Sequence, residues 1–269
     1  MEYRDTKLIV FLRTLTKDEM NELEKFLASP YLIKGRDPLP LFRILKKHYP
    51  DFTQKNFSEE AVLKELIPGA GRDNKNALNT LRSLSSYLLK AVEDFMYISE
   101  TRNSMTLRNR TLLAQILDRN LIKSYPQYLK NAYEDLQELE SRKGLDNLER
   151  YHLEKLNSRY SFTKMEMEDY FSHNSEYVKN LSAQFWIDLL ANAKSRILGK
   201  DNHNIIMKNS FIEDLLARID LDSIITLYEN TGNEFYLKFH YRLYRFLSSG
   251  SDMESFHIAR DLFLGAENN

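Results

Sequence analysis

Residues 73–100 read DNKNALNTLRSLSSYLLKAVEDFMYISE, and their periodicity sets the fold class. Leu78, Leu81, Leu88, Phe95 and Ile98 recur at helical spacing, so one face is apolar. Asp73 stands in front as an N-cap, its carboxylate available to the first free amides. At 1.5 Å per residue the helix would be about 40 Å long, enough to span a domain. Elsewhere, apolar–polar alternation never persists for five residues without a helical reading fitting better. An all-α protein without sheet is predicted.

Toward the N-terminus the elements are shorter. Thr16 and Glu19 form a T-x-x-E capping box that opens a helix through Leu23, Phe26 and Leu27, stopped by Ser29-Pro30. A second helix is predicted over Leu39–Tyr49. Ser58 caps a third, which ends near Pro68-Gly69. Five prolines (Pro30, Pro38, Pro40, Pro50, Pro68) fall in this part, giving short helices joined by rigid turns.

Beyond residue 103 the pattern is helix, brief break, helix. Thr106–Leu121 is expected to pair with Tyr125–Arg142, and Asn147–Phe171 with Glu176–Leu198. Shorter helices follow at Phe211–Ile219, Ser223–Glu229, Glu234–Leu247 and Met253–Leu264. Gly144, Gly199, Gly232, Gly250 and Gly265 are read as helix-ending residues. Consecutive antiparallel hairpins of this size build helical-repeat arrays, here without a legible repeat consensus. The expected organisation is an N-terminal helical module, residues 1–100, followed by a degenerate, tetratricopeptide-like hairpin array over 101–269. The apolar Phe256, Ile258, Leu262 and Phe263 lie directly before the chain's last residues. The array is therefore expected either to continue or to pack that end on another chain.

Phe26-Leu27-Ala28-Ser29-Pro30-Tyr31-Leu32, and later Leu81-Arg82-Ser83-Leu84 leading to Glu93-Asp94-Phe95, resemble segments of an uncharacterised α-helical family of the Bacteroidota. The resemblance is best over residues 1–100. It implies a helical fold and a bacterial cytoplasm, and carries no activity with it.

Composition agrees with a packed, well-solvated globule: of 269 residues 42% are apolar, 29% charged and 12% aromatic. The net charge of −1 gives no overall field toward nucleic acid or membrane. Without cysteine there are no disulfides, thiol nucleophiles or thiolate zinc sites. Leu8–Leu12 is too short, and too acidic in front, for a secretory core, and no stretch reaches the ~20 apolar residues of a membrane helix. The expectation is a cytoplasmic protein that does not insert into a membrane.

Two E-x-x-H motifs, Glu149/His152 and Glu254/His257, have the spacing that di-iron bundles use. Both fall in first turns, after Asp146 and Asp252, where acids cap helices and ligands of a bundle core do not sit. They are expected not to meet, and no metal or cofactor is assigned. Glu166, Asp169 and His173 share a face at i, i+3 and i+7, a spacing that suits an acidic solvated surface. His240 lies among aromatics and is expected to be packed. Pro68–Asp73 is glycine-rich but lacks the preceding strand and Gly-Lys-Ser/Thr ending of a phosphate loop. No G-x-S-x-G, H-E-x-x-H or kinase signature is present.

Three surfaces remain. Lys238, Arg242 and Arg245 form one basic stripe on an otherwise aromatic helix, suited to an acidic or phosphate-bearing partner. Glu229, Glu234, Asp220 and Asp222 are the acids that would pair with it internally. Residues 34–90 hold eleven Lys/Arg against six acids, and 101–130 six against Asp118. If these share a side, Arg43, Lys46, Lys47, Arg102, Arg108 and Arg110 are candidates for nucleic acid. The leading expectation is a non-enzymatic scaffold that binds a protein partner. An RNA- or ribosome-associated protein is the alternative, and a helical metal enzyme built on the E-x-x-H pair the third.

Overall fold

The computed structural model describes residues 3–31, 33, 35–52, 57–69, 74–203, 205–206, 208, 210–250 and 252–266. Among these there are thirteen α-helices, one short 3-10 turn and no strand. None of the helices is long and apolar enough to cross a membrane. The chain divides into two compact units, Met1–Ser104 and Met105–Asn269.

The first unit holds α1 (Lys7–Thr14), α2 (Lys17–Leu27), α3 (Leu39–Lys46), α4 (Glu59–Leu66) and α5 (Lys75–Asn103). α5 is its spine, touching the other four helices. Ala77, Leu81, Leu88, Val92 and Phe95 are buried on one face of it, against Leu12, Leu23, Phe42 and Leu63. Leu78 and Ile98 flank that face, partly buried. Asn74 is the cap, its Oδ1 accepting from the Ala77 amide at 3.1 Å. Asp73 and most of the Pro68–Asp73 loop lie outside the described residues. The Thr16/Glu19 capping box forms in both directions, and Ser58 caps α4 through the Ala61 amide. α3 stops at Lys46, three residues before the predicted Tyr49.

The second unit holds α6 (Met105–Asp118), α7 (Tyr125–Lys143), α8 (Asn147–Thr163) and α9 (Met167–His203). It continues with α10 (Phe211–Leu216), α11 (Leu221–Thr226), α12 (Glu234–Ser249) and α13 (Met253–Ala266). α6, α7 and α8 pack on one another around Leu113, Ile116, Tyr125, Leu136 and Leu153. A second core joins the later part of α9 to α10–α12 through Leu190, Ala193, Leu216, Ile225 and Leu237. α9 serves both. At 37 residues it is about 55 Å long, lying along α8 at its start and along α12 further on.

The break between α8 and α9 differs from the sequence expectation. It falls at Lys164–Glu166 rather than at 172–175. Met165 takes a left-handed φ of 61°, the Glu166 amide reaches back to Ser161 O and the Met165 amide to Phe162 O. This is the Schellman geometry that satisfies a helix's last carbonyls. It normally calls for glycine, so a methionine there gives no signal in the sequence. Asn120, at φ 56°, closes α6 by the same pair of bonds. Conversely Gly199 lies inside α9 and Gly265 inside α13, so neither ends its helix. α10 ends three residues before the predicted Ile219, and α11 starts two residues before the predicted Ser223 and ends three before Glu229. α12 is fully buried only at Leu237 and Tyr241, its remaining aromatics being half-exposed between α9 and α13.

Candidate binding groove

α8 and α9 run antiparallel, as the contacts Phe162–Tyr170, Asn157–His173 and Tyr151–Tyr177 show. The seam between them is polar. Ser158, buried, donates to Asn174 Oδ1 at 2.6 Å. Glu154 accepts from Tyr133 of α7 at 2.5 Å and from His173 at 2.7 Å. Asn157 Nδ2 lies 2.9 Å from His173 Nε2, so the ring proton sits on Nδ1, facing the carboxylate. His173 therefore takes its acid from α8, and Glu166, which pairs with Lys164, is not part of its surroundings.

Beside this seam a groove of about 560 Å³ opens between α6, α8 and α9. Its α8 wall carries His152, Lys155, Arg159 and Phe162, at i, i+3, i+7 and i+10, hence on one helix face. Its α9 wall carries Tyr170, Asn174 and Tyr177 at i, i+4 and i+7, and Arg110 enters from α6. One step further each way along the α9 row stand Met167 and Leu181, both exposed. One wall is basic and the other aromatic.

The charges are arranged rather than scattered. Arg110 is held by Glu149 at 3.2 Å and Arg159 by Asp118 at 2.8 Å. Lys155 lies over the Tyr151 ring with its Nζ 3.0 Å from the phenol, and pairs with no carboxylate among the described residues. Burial, and then the cations Arg110 and Lys155, push the His152 imidazole below its ordinary value. Burial is also what raises the Glu149 carboxyl, against the opposing pull of Arg110.

This places the first E-x-x-H motif. Asp146 caps α8 through the Glu149 amide, as its position predicts. Glu149 does not return the bond to close a capping box. The Asp146 amide is taken instead by Glu140, and Glu149 turns to Arg110. In the second motif, Asp252 accepts from the Ser255 amide at 3.0 Å, at the start of α13. Among the described residues no three His, Asp or Glu gather as a group that could hold a metal.

The basic stripe of α12 is divided. Lys238 pairs with Glu234 at 2.6 Å and Glu229 at 3.6 Å. Arg245 lies 3.6 Å from Asp222 and 3.7 Å from Asp252, and donates to the Tyr241 phenol. Arg242 rests over the Tyr241 ring. Three of the four acids named from the sequence thus serve the stripe; Asp220 instead caps α11. His240, on the same helix, is packed: its Nδ1 lies 3.0 Å from Lys194 Nζ, which sits over the Phe239 ring.

In the first unit Arg43 and Lys46 converge on Glu24, each at 2.8 Å, and hold its carboxyl below the ordinary range. Lys47 pairs with Glu65. Arg102 and Arg108 are exposed. Four of the six residues proposed for nucleic acid, Arg110 included, therefore have carboxylate partners, which reduces the charge left for phosphates.

What sequence reasoning missed is the groove itself. Its walls come from helices whose boundary was misplaced, and residues 152 and 177 carry no mark of being neighbours. No family model, curated protein or solved structure matches the chain.

Proposed function

We propose that this chain is a non-enzymatic, protein-binding scaffold. In this reading an N-terminal helical module precedes a degenerate, tetratricopeptide-like array of hairpins, and a partner docks on the α8–α9 hairpin. The observation that carries the reading is the apolar surface around the groove. Phe162, Met165 and Phe171, at the hairpin end, are 54%, 78% and 61% exposed, and Val178, Leu181 and Phe185 continue outward along α9. Phe171, Val178 and Phe185 repeat every seven residues, so they share a face. Apolar side chains gathered in one area, rimmed by charge, mark interaction sites. The titratable groups that come together are engaged with one another: Glu149 with Arg110, His173 with Glu154, His240 with Lys194. That favours binding over acid–base chemistry.

The test is a photo-reactive amino acid in place of Phe171, activated in the native cells. A protein adduct that survives nuclease, and is absent when the probe replaces Arg13 on the first unit, is expected. No adduct, or one that nuclease removes, would overturn the reading.

A further inference from the structure

We propose that the groove between α6, α8 and α9 is the docking site for an acidic amphipathic helix of a protein partner. Its apolar side would lie on Tyr170, Tyr177 and Phe162, and its carboxylates along Arg110, Lys155 and Arg159. This rests on the scaffold reading and names the chemistry of the partner.

Charge complementarity selects the occupant. The groove is lined by three cations, one histidine and no carboxylate among the described residues. Glu149 and Asp118 fix Arg110 and Arg159 without lining it. An arriving carboxylate would meet guanidinium groups that are already oriented, and a lysine that rests on Tyr151 and pairs with no carboxylate among the described residues. A basic ligand would be repelled by the same three cations. The seam polar groups do not compete for it, because Ser158 and Asn174 bond each other.

Shape selects a helix. The α8 wall from His152 to Phe162 covers ten residue steps, about 15 Å, or close to three helical turns. The facing α9 wall repeats at i, i+4 and i+7, the spacing at which apolar anchors of a docked helix recur. A single-stranded nucleic acid would also stack on the tyrosines, but it needs a continuous basic track for its backbone. Here the cations are three, Arg110 on α6 and Lys155 and Arg159 on α8, which do not make such a track.

The probe is a fluorescent, helix-forming peptide of about 14 residues with Leu and Phe at i, i+4, i+7 and i+11 and Glu beside them. Companion probes carry Gln or Lys for Glu, and a uridine oligonucleotide serves as the fourth. The full-length protein is expected to bind the Glu peptide, more weakly as salt rises, and to ignore the Lys peptide. Lys155→Glu and Tyr177→Ala should each weaken it about tenfold or more, with helix content unchanged by circular dichroism. Lys155→Gln should have an intermediate effect. Gln and Glu peptides binding equally would overturn the acidic partner while leaving the scaffold reading standing. Glu-peptide binding that ignores both substitutions, or no binding, would overturn the site; the Phe171 adduct then decides the scaffold reading by itself. Tighter binding of the oligonucleotide at the same residues would assign the groove to nucleic acid and overturn the proposal.

Discussion

Oε2 of Glu154, on α8, lies 2.7 Å from Nδ1 of His173, on α9, while Oε1 of the same carboxylate receives the Tyr133 phenol from α7. One side chain thus ties three helices together. Removing it leaves two donors short of a partner in a half-buried seam, and unsatisfied buried donors cost about 1–3 kcal/mol. Glu154→Ala should lower the stability of the second unit by that order in urea unfolding. A change below about 0.5 kcal/mol would mean that solvent already competes for this network.

The contact between Lys194 and His240 gives a pH dependence. Burial, and then Lys194, depress the His240 imidazole from its ordinary value of 6.5 to about 4. Below 6.5 the unfolded chain takes up this proton while the folded one refuses it until about pH 4. Stability from this group is therefore complete above 6.5 and lost as pH falls toward 4, by at most about 3 kcal/mol. His240→Gln, which cannot titrate, should flatten the stability curve over that interval. Identical curves for the two proteins would contradict the buried, neutral ring.

Met165 is left-handed and its side chain is largely in solvent, so its conformational strain is not offset by packing. An L-residue in this region costs about 1–2 kcal/mol, part of which glycine returns through its flexible unfolded state. Met165→Gly should stabilise the protein by about 0.5–1 kcal/mol, read as a higher Tm.

Gly144 ends α7 at φ 88° and ψ 175°, a region that essentially only glycine occupies. A Cβ there would lie 2.5 Å from the Tyr236 phenol oxygen, which also reaches the Leu145 amide at 3.4 Å. Gly144→Ala should cost about 1–3 kcal/mol. Combining it with Tyr236→Phe relieves the collision and not the backbone strain. The double variant should therefore recover only part of the loss, a coupling readable from a double-mutant cycle.

The α12 stripe should respond unevenly. Arg245→Glu sets a carboxylate against Asp222 and Asp252. Arg242→Glu removes a contact with a ring. Both sites are partly solvated, so differences of about 1 kcal/mol or less are expected, with Arg245→Glu the more destabilising in thermal melts. Equal effects would mean that the pairs with Asp222 and Asp252 contribute nothing measurable.

The sequence by itself determined the helices and most of their starts. Thr16, Ser58 and Asp146 cap through bonds reaching three residues onward, and α5 buries one face spaced along its own length. Such signals are local, so a single segment contains them. Tertiary structure decided where α8 stops, because the left-handed residue is a methionine rather than a glycine. It also decided that Gly199 would stay inside a helix, and that Lys238 and Arg245 would find acids. The groove belongs wholly to that second class. Arg110, Lys155 and Tyr177 lie on three helices, and only the packing of α6 and α9 on α8 makes them one surface. Helical periodicity specifies which face of each segment turns inward, whereas the pairing of faces from different segments depends on contacts far apart in the chain, which no local spacing encodes.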